Sequence, residues 1–369
     1  SPVFDLDFGQ EAMASAMLGV GKQLGIPKPR CLPALLSGAK AVRRHTAAVE
    51  KQGQELLASL RPDDKVLVLI TRNYGLSDPV LNMGIPRLLL ERGHKVITLS
   101  HLPAHDLDLS EDYPNLYWPF GQHILSGAKL VAHHPNLYAV YLTNHGCGPD
   151  TMLSYLFRKE MGDKPYLQIE VDEHFSPVGV ITRIEAFLQS LEGRPAQPLP
   201  AGFSLTSVVH RPTAVAAVPE RTGGPLLVPD LPPFTAYLRA YCEAAWETET
   251  RTLRLDSTTL PLGRAETSSK EYLPFPALLG GVLTAAEAES GPFQVLLPST
   301  QGAEADGQYP WGVETVLERQ GLCRVKVIAP ELETLPERCP EPDLLFRAFL
   351  VGDLLLCAPP EQRDALAPA

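Results

Sequence analysis

The segment "LTNHGCGPDTML", residues 142–153, places Cys147 between two glycines where an apolar run ends and a helix-like run begins. Gly146 and Gly148 permit positive φ angles and allow a ligand to approach the backbone closely. The positive end of the helix that starts near Asp150 favours a thiolate, which could ligate a metal ion or an iron–sulfur cluster. The same pattern is also typical of a tight strand-to-helix turn that buries a small thiol, so both interpretations stay open.

A second group of chemically active side chains, Asp172, Glu173 and His174, ends the run "YLQIEVDEH". At the end of a strand these residues could supply a general acid and a general base. Their commoner role is to cap the following helix and to pair with a cation such as Arg183. The sequence therefore indicates a site candidate here without deciding its chemistry.

Phosphate and metal chemistry are only weakly indicated elsewhere. The polar turn that begins at Asn73 follows an apolar run, but it lacks the glycines of the GxGxxG and Walker A motifs. Eight of the ten histidines lie between His94 and His174, which suggests a zinc site. Pro103 separates His101 from His105 and disfavours a helical ligand pair, so a zinc hydrolase is the least favoured function class.

Short apolar runs alternate with helical stretches from residue 66 onward. Continuous apolar strands that are each followed by a helix predict a parallel sheet covered on both faces. The first series is "VLVLI", "GIPRLLLERG", "KVITLS", "GQHILSGAKLVA", "LYAVYLT", "DTMLSYLFRKEMG", "YLQIEVD" and "VGVITRIEAFLQSL". The second series is "PLLVPD", "FTAYLRAYCEAAWE", "TRTLRL", "KEYLPFPALLGGVL", "FQVLLPS", "GVETVLERQG" and "CRVKVIAP".

These series predict an α/β protein with two Rossmann-like, flavodoxin-like parallel-sheet domains that face each other across a cleft. We expect a helical lead-in over residues 1–61, a first domain over 62–192, a proline-rich linker over 193–222 and a second domain over 223–369. Ligands of such sheets bind beyond the carboxyl ends of the strands. The segments that contain Asn73, Cys147 and Asp172 should therefore meet at the cleft.

Composition excludes several function classes. A net charge of -11 argues against a nucleic-acid surface. No run approaches the roughly 18 apolar residues of a membrane span, and the first residues lack a signal-peptide pattern, so we expect no membrane partner and a cytoplasmic location. The six cysteines lack a CxxC motif. Cys31, Cys242 and Cys323 lie in or beside apolar runs and are expected to be buried.

Three segments together resemble a known family: "NMGIPRLLLERGHKVI", "LTNHGCGPDTML" and "LQIEVDEHFSPVGVITRIEAFL". They are similar to the activase-related region of acyl-CoA dehydratase activases, relatives of 2-hydroxyacyl-CoA dehydratase subunits and double-cubane cluster proteins. In those large proteins an ATP-hydrolysing activator precedes a dehydratase-subunit-like portion. The resemblance extends more weakly from "SPVFDLDFG" to near residue 357. It implies iron–sulfur clusters held by cysteine thiolates between Rossmann-like domains, which carry low-potential electrons.

Only part of the ligand set implied by the resemblance is retained. Cys147 matches the cysteine of the family's Gly-Cys-Gly turn. Lys270 and Glu271 match a Lys-Glu-Cys motif, but Tyr272 stands in the cysteine position. Glu304, shortly before "GQY" at 307–309, stands where the family has a further thiol. The family's earlier cysteines correspond to positions upstream of Ser1. One thiolate cannot hold a cubane, which needs three or four, so we expect a degenerate cluster site and no cofactor in this chain.

Two functional hypotheses follow. The first is a cluster-lacking module that acts as a scaffold or docking domain, or that binds a small ligand in the interdomain cleft. The second is a working iron–sulfur electron-transfer component of a low-potential reductase or dehydratase, completed by an upstream segment or a partner. The resemblance implies an ATP-hydrolysing activator domain, or an upstream segment of the same polypeptide, as partner. A homodimer stays open, as does enzymatic activity. The candidate site residues are Cys147, Gly146, Gly148, Asp150, Tyr272, Glu304, Asn73, Asp172, Glu173, His174, Lys270 and Glu271.

Overall fold

A computed structural model of the 369-residue chain describes residues 9–144, 146–172, 176–194, 215–221, 223–268, 270–297, 299–300, 302–331 and 342–359. Two helices come first: α1 (Gly9–Gln23) and α2 (Lys28–Ala58). The last turns of α2 contact the first domain, where Gly53 lies against the carbonyl group of His101. The predicted helical lead-in is thus confirmed.

The first sheet follows from the continuous apolar runs. Its strands are β1 (Val66–Ile70), β2 (Lys95–Thr98), β3 (Leu137–Asn144) and β4 (Leu167–Val171), and their order is β2-β1-β3-β4, all parallel. Every residue of β1 is buried, as expected of a strand covered on both faces. The helices of this half are α3 (Asn73–Ser77), α4 (Ile85–Glu91), α5 (Pro119–His133), α6 (Gly148–Met161) and α7 (Pro177–Leu191).

The second sheet repeats this topology. Its strands are β5 (Leu226–Pro229), β6 (Thr250–Leu253), β7 (Phe293–Leu296) and β8 (Val325–Ile328), and their order is β6-β5-β7-β8, again all parallel. The helices are α8 (Phe234–Trp246), α9 (Leu260–Glu266), α10 (Pro274–Ala288), α11 (Tyr309–Arg319) and α12 (Pro342–Cys357). Two separate parallel sheets confirm the predicted fold class. The sequence patterns did not indicate α9 or α12.

The structure shows three local differences from the sequence expectations. Helix α10 begins at Pro274 rather than near Lys270, because proline suits the first helical position, where no backbone N–H is needed. Cys323 is exposed, so the expectation that it is buried was wrong: it lies in the turn before β8, outside the buried strand itself. Ala216, inside the predicted linker, forms a parallel bridge with Ile328 at the edge of the second sheet.

The two halves meet through their inner helices. One buried apolar cluster includes side chains of α5 and α6 together with side chains of α10 and α11. Tyr155 of α6 packs edge-on against Phe275 of α10, with ring centroids 5.2 Å apart, and its hydroxyl donates to the Gly312 carbonyl oxygen over 3.2 Å. Helix α6 therefore joins the two sheets and carries Cys147 at its amino end.

Candidate functional site

The site lies where the first sheet changes direction. The chain leaves β1 toward β2 on one side and leaves β3 toward β4 on the other, so the carboxyl ends of β1 and β3 border a topological switch point. Ile70, the last residue of β1, pairs with Tyr141, and β3 continues to Asn144 beyond it. Open α/β sheets bind ligands at such a point. The residues after β1 and β3 are therefore the first candidates.

Cys147 is the N-cap residue of α6. Its backbone is extended, with φ -82° and ψ 121°, and its carbonyl oxygen accepts the first helical hydrogen bond from Thr151 N over 3.0 Å. Gly146 adopts φ +62°, a value that side chains disfavour, so the glycine is needed to turn the chain from β3 into the helix. The Cys147 side chain is half-buried. It lies at the positive end of the α6 dipole.

Arg72, directly after β1, is the main partner of this cysteine. Its Nη2 atom lies 2.7 Å from Cys147 Sγ and donates over 2.9 Å to Asp150 Oδ1, while Nε donates to the same oxygen over 3.1 Å. The guanidinium carbon also lies 4.2 Å from the centre of the Phe120 ring. Burial tends to lower the pKa of Arg72, but the hydrogen bonds and charge of Asp150 outweigh it, so the pKa is raised.

The carboxylate of Asp150 holds Arg72 and the end of β3 together. Its side chain is 3% exposed, and Oδ2 accepts hydrogen bonds from Asn144 N over 2.8 Å and Asn144 Nδ2 over 2.9 Å. Asn144 Nδ2 also donates to the Tyr74 hydroxyl over 3.0 Å. The carboxylate thus connects the end of β3, the residues after β1 and the first turn of α6. We refer to Arg72, Cys147 and Asp150 as the Arg–Cys–Asp cluster.

The sequence expectations included Cys147 and Asp150 but not Arg72. The only available signal was position, because "TR" directly follows a continuous apolar strand, where side chains reach the switch point. Asn73, which was named instead, begins α3 and is exposed. Asp172 follows β4 and is half-buried, whereas Glu173 and His174 lie outside the described residues. Arg183 donates to the Gln168 carbonyl oxygen over 2.5 Å.

The second half contributes Tyr272 to the Cys147 turn. Its hydroxyl donates to the Gly146 carbonyl oxygen over 3.4 Å, and its ring lies beside Gly148, where an added Cβ would be 3.0 Å from the hydroxyl oxygen. Glu304 is exposed and precedes the short 3-10 turn Ala305–Gln308. Burial, together with the neighbouring Asp306, Tyr272 and Glu304, raises the pKa of Tyr309 to about 12. Tyr272 and Glu304 therefore both lie within electrostatic range of Tyr309.

Lys270 and Glu271 have different roles although they are adjacent. Lys270 Nζ forms an ion pair with Glu170 Oε2 on β4, so it links the two halves. Glu271 is buried and accepts hydrogen bonds from Ser268 N over 3.1 Å and Ser268 Oγ over 2.7 Å. The lysine therefore faces the first half, and the glutamate stabilises the turn that places Tyr272.

The histidines of the first half do not form a metal-ligand set in the described residues. No group of three or more histidine, cysteine, aspartate or glutamate side chains there could hold a metal ion. His105 and His123 stack with ring centroids 3.8 Å apart. Burial and the neighbouring His105 lower the pKa of His123 to about 3, so His123 is neutral at physiological pH. Nor does any helix in the described part of the chain have the length and apolar character to cross a membrane.

Comparison with known proteins gives one result. Residues 1–102 match a family model described as CoA enzyme activase uncharacterised domain, a stretch that covers α1 to β2 and includes Arg72. This match supports the activase relationship that the sequence motifs suggest, and of those motifs only "NMGIPRLLLERGHKVI" lies within it. No curated protein and no solved structure matches the chain.

Proposed function

We propose that this chain is a dehydratase-subunit-like, activase-related module of an ATP-dependent acyl-CoA dehydratase or reductase type system. Its iron–sulfur site is degenerate, and it acts in the cytoplasm as a scaffold, a docking module or a small-ligand-binding module. The match over residues 1–102 supports the activase relationship. The Gly-Cys-Gly-Pro-Asp turn and the Lys-Glu-Tyr segment support the dehydratase-like part of the proposal.

The contact between Arg72 and Cys147 is the observation that carries the degenerate-site proposal. A guanidinium nitrogen 2.7 Å from Sγ provides the cysteine with a cationic partner. Iron would have to displace this cation to reach the sulfur, and Arg72 is also held by two hydrogen bonds to Asp150. A cubane needs three or four thiolates, whereas the described residues around the turn offer one. These residues do not fit a cubane.

The residues at the other implied ligand positions support the same proposal. Tyr272 donates a hydrogen bond to Gly146 and so contributes to contact between the halves. Phenol and carboxylate oxygens are harder ligands than thiolates and suit iron–sulfur clusters poorly. Glu304 is exposed to solvent. In the proposed module, the two positions that hold cluster ligands in the family are thus occupied by a residue that contacts the other half, Tyr272, and by a surface residue, Glu304.

Anaerobic purification followed by iron and acid-labile sulfide analysis tests the proposal. We expect less than one four-iron cluster per molecule, and the same low content in Cys147→Ser and Cys323→Ser variants. Cys323 is a suitable control because it is an exposed thiol far along the chain, before β8. Near-stoichiometric iron and sulfide, with broad visible absorbance lost in Cys147→Ser but kept in Cys323→Ser, would refute it and make electron transfer the function.

The docking role predicts a partner. We expect an ATP-hydrolysing activator domain, encoded upstream in the same polypeptide or separately, to bind this chain. Size-exclusion chromatography of the two proteins with and without ATP tests this expectation. Separate elution under both conditions would refute the docking role and leave the scaffold and small-ligand-binding roles.

A further inference from the structure

A cavity of about 250 Å³ opens between the two halves beside the edge strand β4. It differs from the Arg–Cys–Asp cluster, which lies at the ends of β1 and β3. Helix α6 forms one wall, β4 and α7 form another, and the turn before α10 closes the third side. The polar side chains that line it include Ser154, Arg158, Glu170, Arg183, Ser268 and Lys270.

Positive charge dominates the lining. Among the described residues that line it, Arg158, Arg183 and Lys270 supply three cations, and Glu170 supplies one carboxylate. Lys270 is paired with Glu170. The excess of two positive charges therefore resides on the two arginines.

Both guanidinium groups are positioned by backbone carbonyl groups rather than by acids. Arg158 Nη2 donates to the Glu266 carbonyl oxygen over 3.3 Å, and Arg183 Nη2 donates to the Gln168 carbonyl oxygen over 2.5 Å. Within the described residues neither forms an ion pair with a carboxylate. A guanidinium has five N–H donors, so each arginine retains donors that can reach a ligand.

Neutral donors complete the lining. Gln168 Nε2 donates to Ser154 Oγ over 3.0 Å, and this hydroxyl in turn donates to the Asp150 carbonyl oxygen over 2.7 Å. Ser268 Oγ is held by Glu271 over 2.7 Å. Because these side chains are fixed by their own hydrogen bonds, the polar lining is largely formed before a ligand binds.

We propose that this cavity binds a small phosphate monoester. A phosphate group carries about two negative charges and three acceptor oxygens, which match the guanidinium groups of Arg158 and Arg183 in charge and geometry. The volume lies slightly below the roughly 300 Å³ at which typical small-molecule clefts begin, so a compact ligand fits. The inference names a ligand class for the small-ligand role proposed above and therefore rests on that role.

Isothermal titration calorimetry of the full chain tests the proposal with glycerol 3-phosphate, inorganic phosphate and succinate as probes. We expect saturable binding of glycerol 3-phosphate, with succinate at least about tenfold weaker because each of its two separated carboxylates carries one charge, whereas the phosphate carries about two charges on a single group that both arginines can contact. Arg158→Met and Arg183→Met should each weaken binding about tenfold, which is the loss of one charge-assisted contact. Arg87→Met is the matched control, since Arg87 is exposed on α4 and pairs with Glu91.

Two further variants test the charge balance of the cavity. Glu170→Gln should strengthen binding severalfold because it releases Lys270 from its ion pair, whereas Lys270→Met should not strengthen it. Thermal unfolding of each free variant checks that the fold is retained. If either arginine variant fails to fold, the inference still requires that Glu170→Gln strengthens binding and that Lys270→Met does not.

Three results would overturn the inference: no saturable binding of glycerol 3-phosphate, equal weakening by Arg87→Met, or succinate binding as tightly as the phosphate ester. Iron and sulfide analysis of the same samples distinguishes failure of the phosphate-binding inference from failure of the proposed function. Absence of phosphate binding in a cluster-free protein overturns the ligand inference alone. A full cluster overturns the degenerate-site proposal whatever the cavity binds.

Discussion

Removing the carboxylate of the Arg–Cys–Asp cluster should destabilise the first domain strongly. Asp150 is almost fully buried and accepts two hydrogen bonds from Arg72 and two from Asn144. Breaking a buried ion pair by removing one partner costs about 3–5 kcal/mol. Arg72 retains some solvent exposure and its contact with Phe120, so we expect Asp150→Ala to cost about 3 kcal/mol, at the lower end of this range.

Arg72→Met tests the other partner of the same pair. It leaves the Asp150 carboxylate buried with only the Asn144 donors, so we expect a similar loss of about 3 kcal/mol. The double variant should lose less than the sum of the two single losses, by about 2 kcal/mol, because each single change already removes the shared interaction. This difference is the coupling energy, and it identifies Arg72 and Asp150 as an interacting pair.

Urea denaturation followed by far-ultraviolet circular dichroism at pH 7 measures these losses. The comparison requires similar denaturant slopes among the variants, which show that the same amount of surface unfolds. Arg87→Met serves as a control, and its exposed pair with Glu91 should give no measurable change. Additive losses in the double variant, or an Asp150→Ala protein within about 1 kcal/mol of the parent, would refute the assignment of Asp150 as the organising residue.

Three other expectations concern pH and packing. Burial raises the pKa of Glu314 to about 7, so the stability that this residue contributes is present below about pH 4.5 and is lost as the pH rises to 7. Glu314→Gln should therefore raise the melting temperature relative to the parent at pH 8 but not at pH 4. Burial lowers the pKa of His123 to about 3, so between about pH 3 and 6.5 this histidine is protonated in the unfolded chain but not in the folded one, and acidification favours unfolding. His123→Phe should therefore reduce the loss of melting temperature on acidification through that range. A Cβ at Gly263 would lie 1.8 Å from a carbonyl oxygen of α10, so Gly263→Ala should destabilise the protein in urea by about 3 kcal/mol or more, while Gly19→Ala, with open space around it, should be neutral or stabilising. Equal responses of the two alanine variants, or pH profiles that the other two substitutions leave unchanged, would contradict these readings.

Local patterns in the sequence determined the strands, most of the helices and their order along the chain. Continuous apolar runs such as "VLVLI" predicted buried parallel strands, and the helices between them followed from periodicity. The glycines around Cys147 and the proline after them predicted the turn and the start of α6. These features depend on residues that are close together along the chain, so they can be recognised in a single sequence.

Only the tertiary structure decided which side chains meet. Arg72 is separated from Cys147 by 75 positions, and Tyr272 is separated from Gly146 by 126. Helix α9 was missed because it is short and is held by close backbone packing of Gly263 against α10, which leaves no periodic signal. The sequence contains the partners of such contacts, but which of many candidates approach one another depends on the packing of two sheets through a shared core. Local periodicity therefore determined the scaffold and the cysteine turn, while the partner of the cysteine and the cationic cavity arose from long-range packing.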